Sequence, residues 1–272
     1  MAPELTRAVI LARGLGSRMR RAAPAVAIDE RQARAADTGI KAMIPVGRPF
    51  LDYVLSALAD AGFGEVCLVI GPEHGAVRDY YGQPERLSRV HVRFAIQPEP
   101  LGTSDAVLAA ESFAGADEFL VINSDNFYPA AALEAMRTLG GTGLAGFDRE
   151  ALVRDGNINE ARVRQYAVLE VGADGTLTGI VEKPDQETLG RAGRQALISM
   201  NCWRFGPAIF DAARRIGRSA RGEYELADAV KRAIAQGETF RVVPVSAGVL
   251  DLSMRGDIPS VARWLEGMEV RL

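Results

Sequence analysis

The chain has 272 residues, 48% of them hydrophobic and 25% charged, with a mean hydropathy of +0.01. This make-up suits a globular protein and excludes a disordered, collagenous or membrane-spanning chain, because no apolar run reaches the roughly 18–20 residues of a membrane helix. A net charge of −3 leaves no basic field for nucleic acid, and two cysteines, Cys67 and Cys202, cannot build a disulfide framework. The start lacks the basic-then-apolar order of a signal peptide, so the expected location is the cytoplasm.

In chain order, Ala8–Ala12 is a short apolar run that ends in glycines. Phe50, Leu51, Val54, Leu55 and Leu58 recur at helical spacing, and Gly62 closes that helix. Residues 66–70 read as a strand buried on both faces, followed by a helix over 74–81, a strand over 91–96 and a helix over 104–113. Phe119–Ile122 is the next buried strand. This rhythm predicts an α/β fold with a mainly parallel sheet and helices on both faces. After about residue 150 the pattern changes to a hairpin over 166–181, a strand near 197–205, helices near 207–216 and 226–236, a strand near 239–245 and a last helix near 257–268. Residues 21–39, rich in Ala, Arg and Asp, read as a flexible insertion or lid, compatible with disorder or with a short helix.

Several residues could carry chemistry. The turn Gly14-Leu15-Gly16-Ser17-Arg18 follows the first strand, where glycines let backbone amides approach a phosphate closely. It is neither a dinucleotide fingerprint, since Met19 replaces the third glycine, nor a Walker loop, since no Gly-Lys pair exists. Asp125 ends the strand after 119–122 and reads either as a magnesium ligand or as a cap for the helix near Pro129. Asp251 could share such a cation, whereas capping explains Asp257. Of 32 Lys plus Arg, only Lys41, Lys183 and Lys231 are lysine. A chain that otherwise uses Arg points to Lys41 and Lys183 as compact charges for phosphate, and Lys231 reads as a surface lysine. Gln97 can pair with the O4 and N3–H edge of a pyrimidine, or be a polar loop residue. His74 and His91 have no Ser or Cys partners at suggestive spacing, which excludes a triad or a zinc site.

Taken in order, Leu11–Met19, Lys41–Val46, Gln97–Ala106, Asn123–Asn126, Glu182–Pro184 and Gly222–Asp228 resemble the sugar-nucleotide pyrophosphorylases, from about residue 7 to the C-terminus. The resemblance implies one domain over 1–272 with a Rossmann-like mixed sheet. Its first part, to about residue 150, would bind nucleotide, and a small β-rich part over about 151–272 would bind sugar. It also implies transfer of a nucleotidyl group from UTP or dTTP to a sugar-1-phosphate, with Mg²⁺ as cofactor, and leaves open assembly as a homo-oligomer.

Roles follow from the same resemblance. Leu11, Gly14, Gly16, Ser17, Gln97, Gly102 and Thr103 would hold the nucleotide. Arg18, Lys41 and Lys183 would act on the phosphates. Glu182, Lys183 and Asn201 would meet the sugar, and Asp125 and Asp251 would bind the metal. This chain departs from the pattern at Arg13, where a small residue is usual, at Asn201 and Trp203, and after Asp251, where Leu252-Ser253 replaces Gly-Thr. Two other readings fit these departures: a nucleotide-sugar sensor without turnover, and transfer to a non-sugar phosphorylated alcohol such as phosphocholine.

Overall fold

The computed structural model describes residues 4–23, 25–193 and 195–272, so the first three residues of the start, Pro24 of the insertion and Arg194 lie outside the described residues. Among the described residues nine strands form one sheet: β1 (Arg7–Leu11), β2 (Glu65–Ile70), β3 (His91–Ile96), β4 (Phe119–Asn123), β5 (Gly143–Asp148), β6 (Ala167–Val171), β7 (Leu177–Val181), β8 (Leu197–Phe205) and β9 (Arg241–Val245). The order is β7-β6-β8-β4-β1-β2-β3, with β5 on β8 and β9 on β5.

β4, β1, β2 and β3 are parallel, in the register Leu11↔Val69 and Leu11↔Asn123. β8 runs antiparallel to β4, and β6–β7 form the expected hairpin, so the sheet is mixed. β5 and the two-residue ladder of Asn126–Phe127 with Leu250–Asp251 are additions to the elements legible in the sequence.

β4, β1 and β2 are apolar on both faces because helices cover both, whereas the edge strand β3 exposes His91 and Arg93. Successive side chains of a strand point to opposite faces. Ile10, Leu68 and Ile122 accordingly pack in one core, while Val9, Cys67, Val69 and Val121 pack in the other. The first core receives the helix Phe50–Asp60, and the second receives Thr103–Ala109, Ala208–Arg214 and Leu226–Ala235. The helix expected over 104–113 breaks at Ala110 into two pieces, Thr103–Ala109 and Glu111–Ala114.

Residues 21–39 are more regular than their composition suggests. Glu30–Thr38 is a helix whose capping box is closed reciprocally: Asp29 accepts from the Gln32 amide at 2.7 Å, and the Gln32 side chain accepts from the Asp29 amide at 3.1 Å.

One charged side chain is wholly buried in the first core. Asp52 accepts hydrogen bonds from Tyr81 Oη (2.8 Å), Tyr80 Oη (3.2 Å) and Arg48 Nε (2.8 Å), which ties the helix Phe50–Asp60 to the helix Gly75–Tyr81. Arg48 is exposed to solvent, so its charge contributes little. The larger loss on deletion is the acceptor for the buried Tyr81 hydroxyl. Asp52→Ala should therefore lower stability by about 2–3 kcal/mol in urea unfolding, with Asp52→Asn less costly because it keeps an acceptor. Equal midpoints for Asp52→Ala and the parent would show that the network is idle.

Candidate active site

The chain steps from β1 outward to β2 and β3, then crosses back to β4 on the other side of β1. Between β1 and β4 the strand order reverses, and the carboxyl ends diverge to leave a crevice. A cleft of about 330 Å³ lies there. Its walls include Leu11, Gly14 and Ser17 after β1, Lys41, then Gln97, Gly102 and Thr103 after β3, and Asp125 after β4. Eight of the residues expected from sequence thus meet in one place, although 114 positions separate the first from the last.

Lys41 Nζ lies 2.6 Å from Asp125 Oδ2, with both side chains largely buried. Asp125 is no helix cap: the helix Ala130–Thr138 starts at Pro129 with no side-chain cap. The carboxylate instead turns into the cleft, where Lys41 is its partner among the described residues.

Gln97 is 2% exposed, and its amide orientation follows from its neighbours. Nε2 donates to Gly102 O (3.1 Å) and Asp105 Oδ2 (2.7 Å), both pure acceptors, so nitrogen must face them. Both donor hydrogens are spent, which leaves Oε1 as an acceptor on the cleft wall. The expected donate-and-accept role is therefore corrected to an acceptor role. Thr103 also lines the cleft, but its hydroxyl accepts from the Leu226 amide at 3.0 Å and so seats the helix Leu226–Ala235.

Arg13 is a buried brace. Nε donates to Gln97 O (3.1 Å), and Nη1 lies 2.8 Å from Glu73 Oε1, which joins the glycine turn to the end of β3. The imidazole of His74 beside it is held below its ordinary pKa, first by burial and then by Arg13 and other arginines despite the pull of Glu73. Its Nδ1 accepts from the Gly71 amide, so it serves as a neutral turn residue.

Gly16 lies against Gly39, the C-cap of the helix Glu30–Thr38. Gly16 has φ +61°, and a Cβ there would fall 2.1 Å from Gly39 O. Gly39 has φ +76°, and a Cβ there would meet Leu15 O at 2.8 Å. Arg20 donates to Thr38 O at 2.9 Å, and Arg255 donates to Met19 O and pairs with Asp37. The insertion therefore braces the back of the glycine turn. Arg18 is exposed, outside the walls of the cleft, and donates to Gln165 Oε1 at 3.2 Å.

The sugar-side residues stand apart from the cleft walls. Lys183 (φ +45°) and Asn201 (φ +56°) are the non-glycine residues with left-handed backbone among those described. Such conformations cost of order 1–3 kcal/mol each and cluster at functional sites. Asn201 has a local reason as well: it sits in a bulge of β8 between Ser199 and Trp203, and its Oδ1 accepts from Trp203 Nε1 at 3.3 Å. Glu182 follows β7. Desolvation by the surrounding protein and then the charge of Glu225 push its carboxyl above the ordinary range.

Asp251 reaches the site through its ladder partner Asn126, but as a buried residue that already holds four donors, including Arg162. Asp257, expected as a helix cap, instead accepts from Arg162 (2.6 Å) and from the Ser253 and Met254 amides. Sequence reasoning missed Arg162, Tyr166, Asn157 and Glu223. The first three act only through a contact about 90 residues distant, which no local pattern encodes. Glu223 lay within a motif already singled out.

If the Gly16–Gly39 contact seats the insertion, Gly39→Ala should cost about 1–2 kcal/mol in denaturant unfolding, from the left-handed backbone and the clash with Leu15 O. Asp29→Ala, which removes the helix cap, should cost about 1 kcal/mol. An unchanged midpoint in Gly39→Ala would mean that the insertion does not rest on the turn.

Comparison with known proteins places this geometry. Residues 35–247 match the family model for nucleotidyl transferases. A glucose-1-phosphate thymidylyltransferase of Streptomyces antibioticus is 28% identical over 98% of this chain and 68% of its own length. A UTP–glucose-1-phosphate uridylyltransferase of Haloferax volcanii is 26% identical over 92% of both chains. The chain spans 57% of a low-salt glycan biosynthesis nucleotidyltransferase of the same organism, at 27% identity. In fold it resembles a UDP-glucose pyrophosphorylase solved with UDP-glucose (TM-score 0.73, 19% identity, 97% of this chain and 100% of that one). With more than half of its length matched by the family model, the chain belongs to the nucleotidyl transferase family, among the sugar-nucleotide pyrophosphorylases.

Proposed function

We propose that this protein transfers a nucleotidyl group from UTP or dTTP to a sugar-1-phosphate, releasing pyrophosphate, and that the transfer depends on Mg²⁺. The observation that carries this reading is the convergence of the glycine turn, the Lys41–Asp125 pair and the acceptor of Gln97 on one cleft at the strand-order reversal. Residues to about 150 supply the nucleotide half of one catalytic unit, and about 151–272 supply the sugar half. The reaction belongs in the cytoplasm. In support, Cys67 and Cys202 are free and buried, and no described helix is long and apolar enough to cross a membrane.

The choice of base follows from hydrogen-bond polarity. Oε1 of Gln97 can only accept, so it suits the N3–H of uracil or thymine and repels the N3 lone pair of cytosine. The reaction itself needs charge neutralisation more than proton transfer. A sugar phosphate oxygen is already anionic at neutral pH, so its in-line attack on the α-phosphorus calls for no general base. Two polyanions must meet, and fixed cations and oriented amides offset their repulsion.

Lys41 is poised for this role: its ammonium, now on Asp125, can move to the α-phosphate when a phosphate chain enters. Amides of the turn at Gly14–Ser17 face the distal phosphates. Arg18 at the rim meets the departing pyrophosphate, and Lys183 meets the sugar phosphate. The helix Glu30–Thr38 keeps the turn in shape from behind and serves as a brace for it.

Asp125 fits a hard cation, being a carboxylate on the cleft wall beside the phosphate turn. Mg²⁺ bound there would neutralise phosphate charge and polarise the α-phosphoryl group. Asp251 does not fit so simply, because its lone pairs are taken.

A matrix of nucleoside triphosphates against sugar-1-phosphates, read as pyrophosphate release, should show turnover with UTP or dTTP that falls about 10²–10³-fold in Asp125→Ala. No release above that variant with any pair would defeat the enzyme reading, and calorimetric binding without release would favour a nucleotide-sugar sensor. Gln97→Met should raise KM for UTP and dTTP about tenfold more than for CTP, because losing the Gly102 and Asp105 contacts weakens every nucleotide alike whereas the lost base hydrogen bond falls on uracil and thymine. Equal loss across all nucleotides would remove the basis for the pyrimidine choice.

A further inference from the structure

Asp251 is 2% exposed, and both its oxygens are fully engaged. Oδ1 accepts from Ser253 Oγ at 2.8 Å and from Asn126 Nδ2 at 3.2 Å. Oδ2 accepts from Tyr166 Oη at 2.6 Å and from the Arg162 guanidinium. Its backbone is fixed as well: Asn157 Oδ1 accepts the Asp251 amide at 2.7 Å, and Asn157 Nδ2 donates to Asp251 O at 2.9 Å.

Arg162 is held as firmly from the other side. Its Nη1 lies 2.6 Å from Asp257 Oδ1, and its side chain is 11% exposed between the two carboxylates. Its Nε has no hydrogen-bond partner among the described residues, so the guanidinium is held by its two Nη groups, one on Asp251 and one on Asp257. The turn after Asp251 brings Asp257 alongside. The amides of Ser253 and Met254 both donate to Asp257 Oδ2, turning the chain so that this second carboxylate flanks Arg162.

All four lone-pair sites of Asp251 are taken, so a metal ion reaching it would have to displace at least one donor, and on Oδ2 it would compete with a charge-paired guanidinium. Asp125 presents a far smaller obstacle: one lysine on the open cleft wall. We propose that Asp251 in this chain is an ion-pair residue and not a metal ligand, with Arg162 as the permanent cation at that position. A divalent cation is then held by Asp125 and the nucleotide phosphates alone, and it enters with the nucleotide. This inference rests on the nucleotide reading above for the source of the phosphates.

The test uses the full chain, with Mn²⁺ and the preformed Mn·UTP complex as probes, in calorimetric titration. Asp125→Asn should weaken Mn·UTP binding about tenfold or more, whereas Asp251→Asn should stay within about threefold of the parent. Mn²⁺ without nucleotide should bind the parent and Asp251→Asn equally weakly. Arg162→Gln frees Asp251 and should gain at least about tenfold in nucleotide-free Mn²⁺ affinity, a gain abolished in Arg162→Gln with Asp251→Asn. Equal weakening by Asp125→Asn and Asp251→Asn would overturn the proposal and leave the nucleotide reading intact. If Asp251→Asn does not fold, Arg162→Gln decides alone, and no gain there overturns the proposal. A parent that binds no Mn·UTP would defeat the nucleotide reading and this inference with it.

Discussion

The ammonium of Lys41 and the carboxylate of Asp125 lie 2.6 Å apart across the crevice between β1 and β4. Each charge is largely withdrawn from water, which neither would tolerate without the other. Removing one partner would leave an uncompensated charge on the cleft wall. The pair thus fixes how the loop after β1 and the loop after β4 face each other. It also stores the two charges that phosphate and metal would draw apart. Everything else in the site is arranged around that separation.

Around the pair, the supports come from remote parts of the chain. Arg13 ties the glycine turn to the backbone of Gln97 and to Glu73. Gly39 closes on Gly16 from behind, and Arg255 holds Met19 and Asp37. Leu226 and Tyr224 lock the loop at Leu101–Ser104 through the Leu226 amide on Thr103, the Tyr224 amide on Leu101 and the Ser104 amide on Tyr224. Under the proposed function the cleft would receive several negative charges and gain from such preorganisation, because dipoles already in place need not reorient during reaction.

The second carboxylate shows how a motif can persist while its surroundings change its meaning. Asp251 stands beside Asp125 through a two-residue ladder, as a shared cation would require. Yet Arg162 from the segment before β6 occupies it, and Asp257 completes the clamp. An arginine fork meets two carboxylates through separate nitrogens in one fixed plane, a geometry that the point charge of a lysine does not impose. That specificity of shape makes the pairing durable, so the identity of Asp251 alone says little about its role.

What the sequence determined by itself was the part written in short-range order. Continuous apolar runs dictated the central strands, because strands covered on both faces have no polar positions. Helical spacing marked Phe50–Asp60 and Leu226–Ala235. The scarcity of lysine drew attention to Lys41, and the strand-end positions of Gly14, Gln97 and Asp125 placed them on one edge of the sheet. Only the tertiary structure decided the rest. For residues 21–39 the sequence left disorder and a short helix open, because mean composition does not register the reciprocal cap of Glu30–Thr38 or its contact with Gly16. The donor saturation of Gln97 needed Asp105 and Gly102 in place. The capture of Asp251 by Arg162 spans 89 positions. Local spacing sets which face a residue occupies, but whether a charge meets a substrate or a partner depends on what folding brings to its other side.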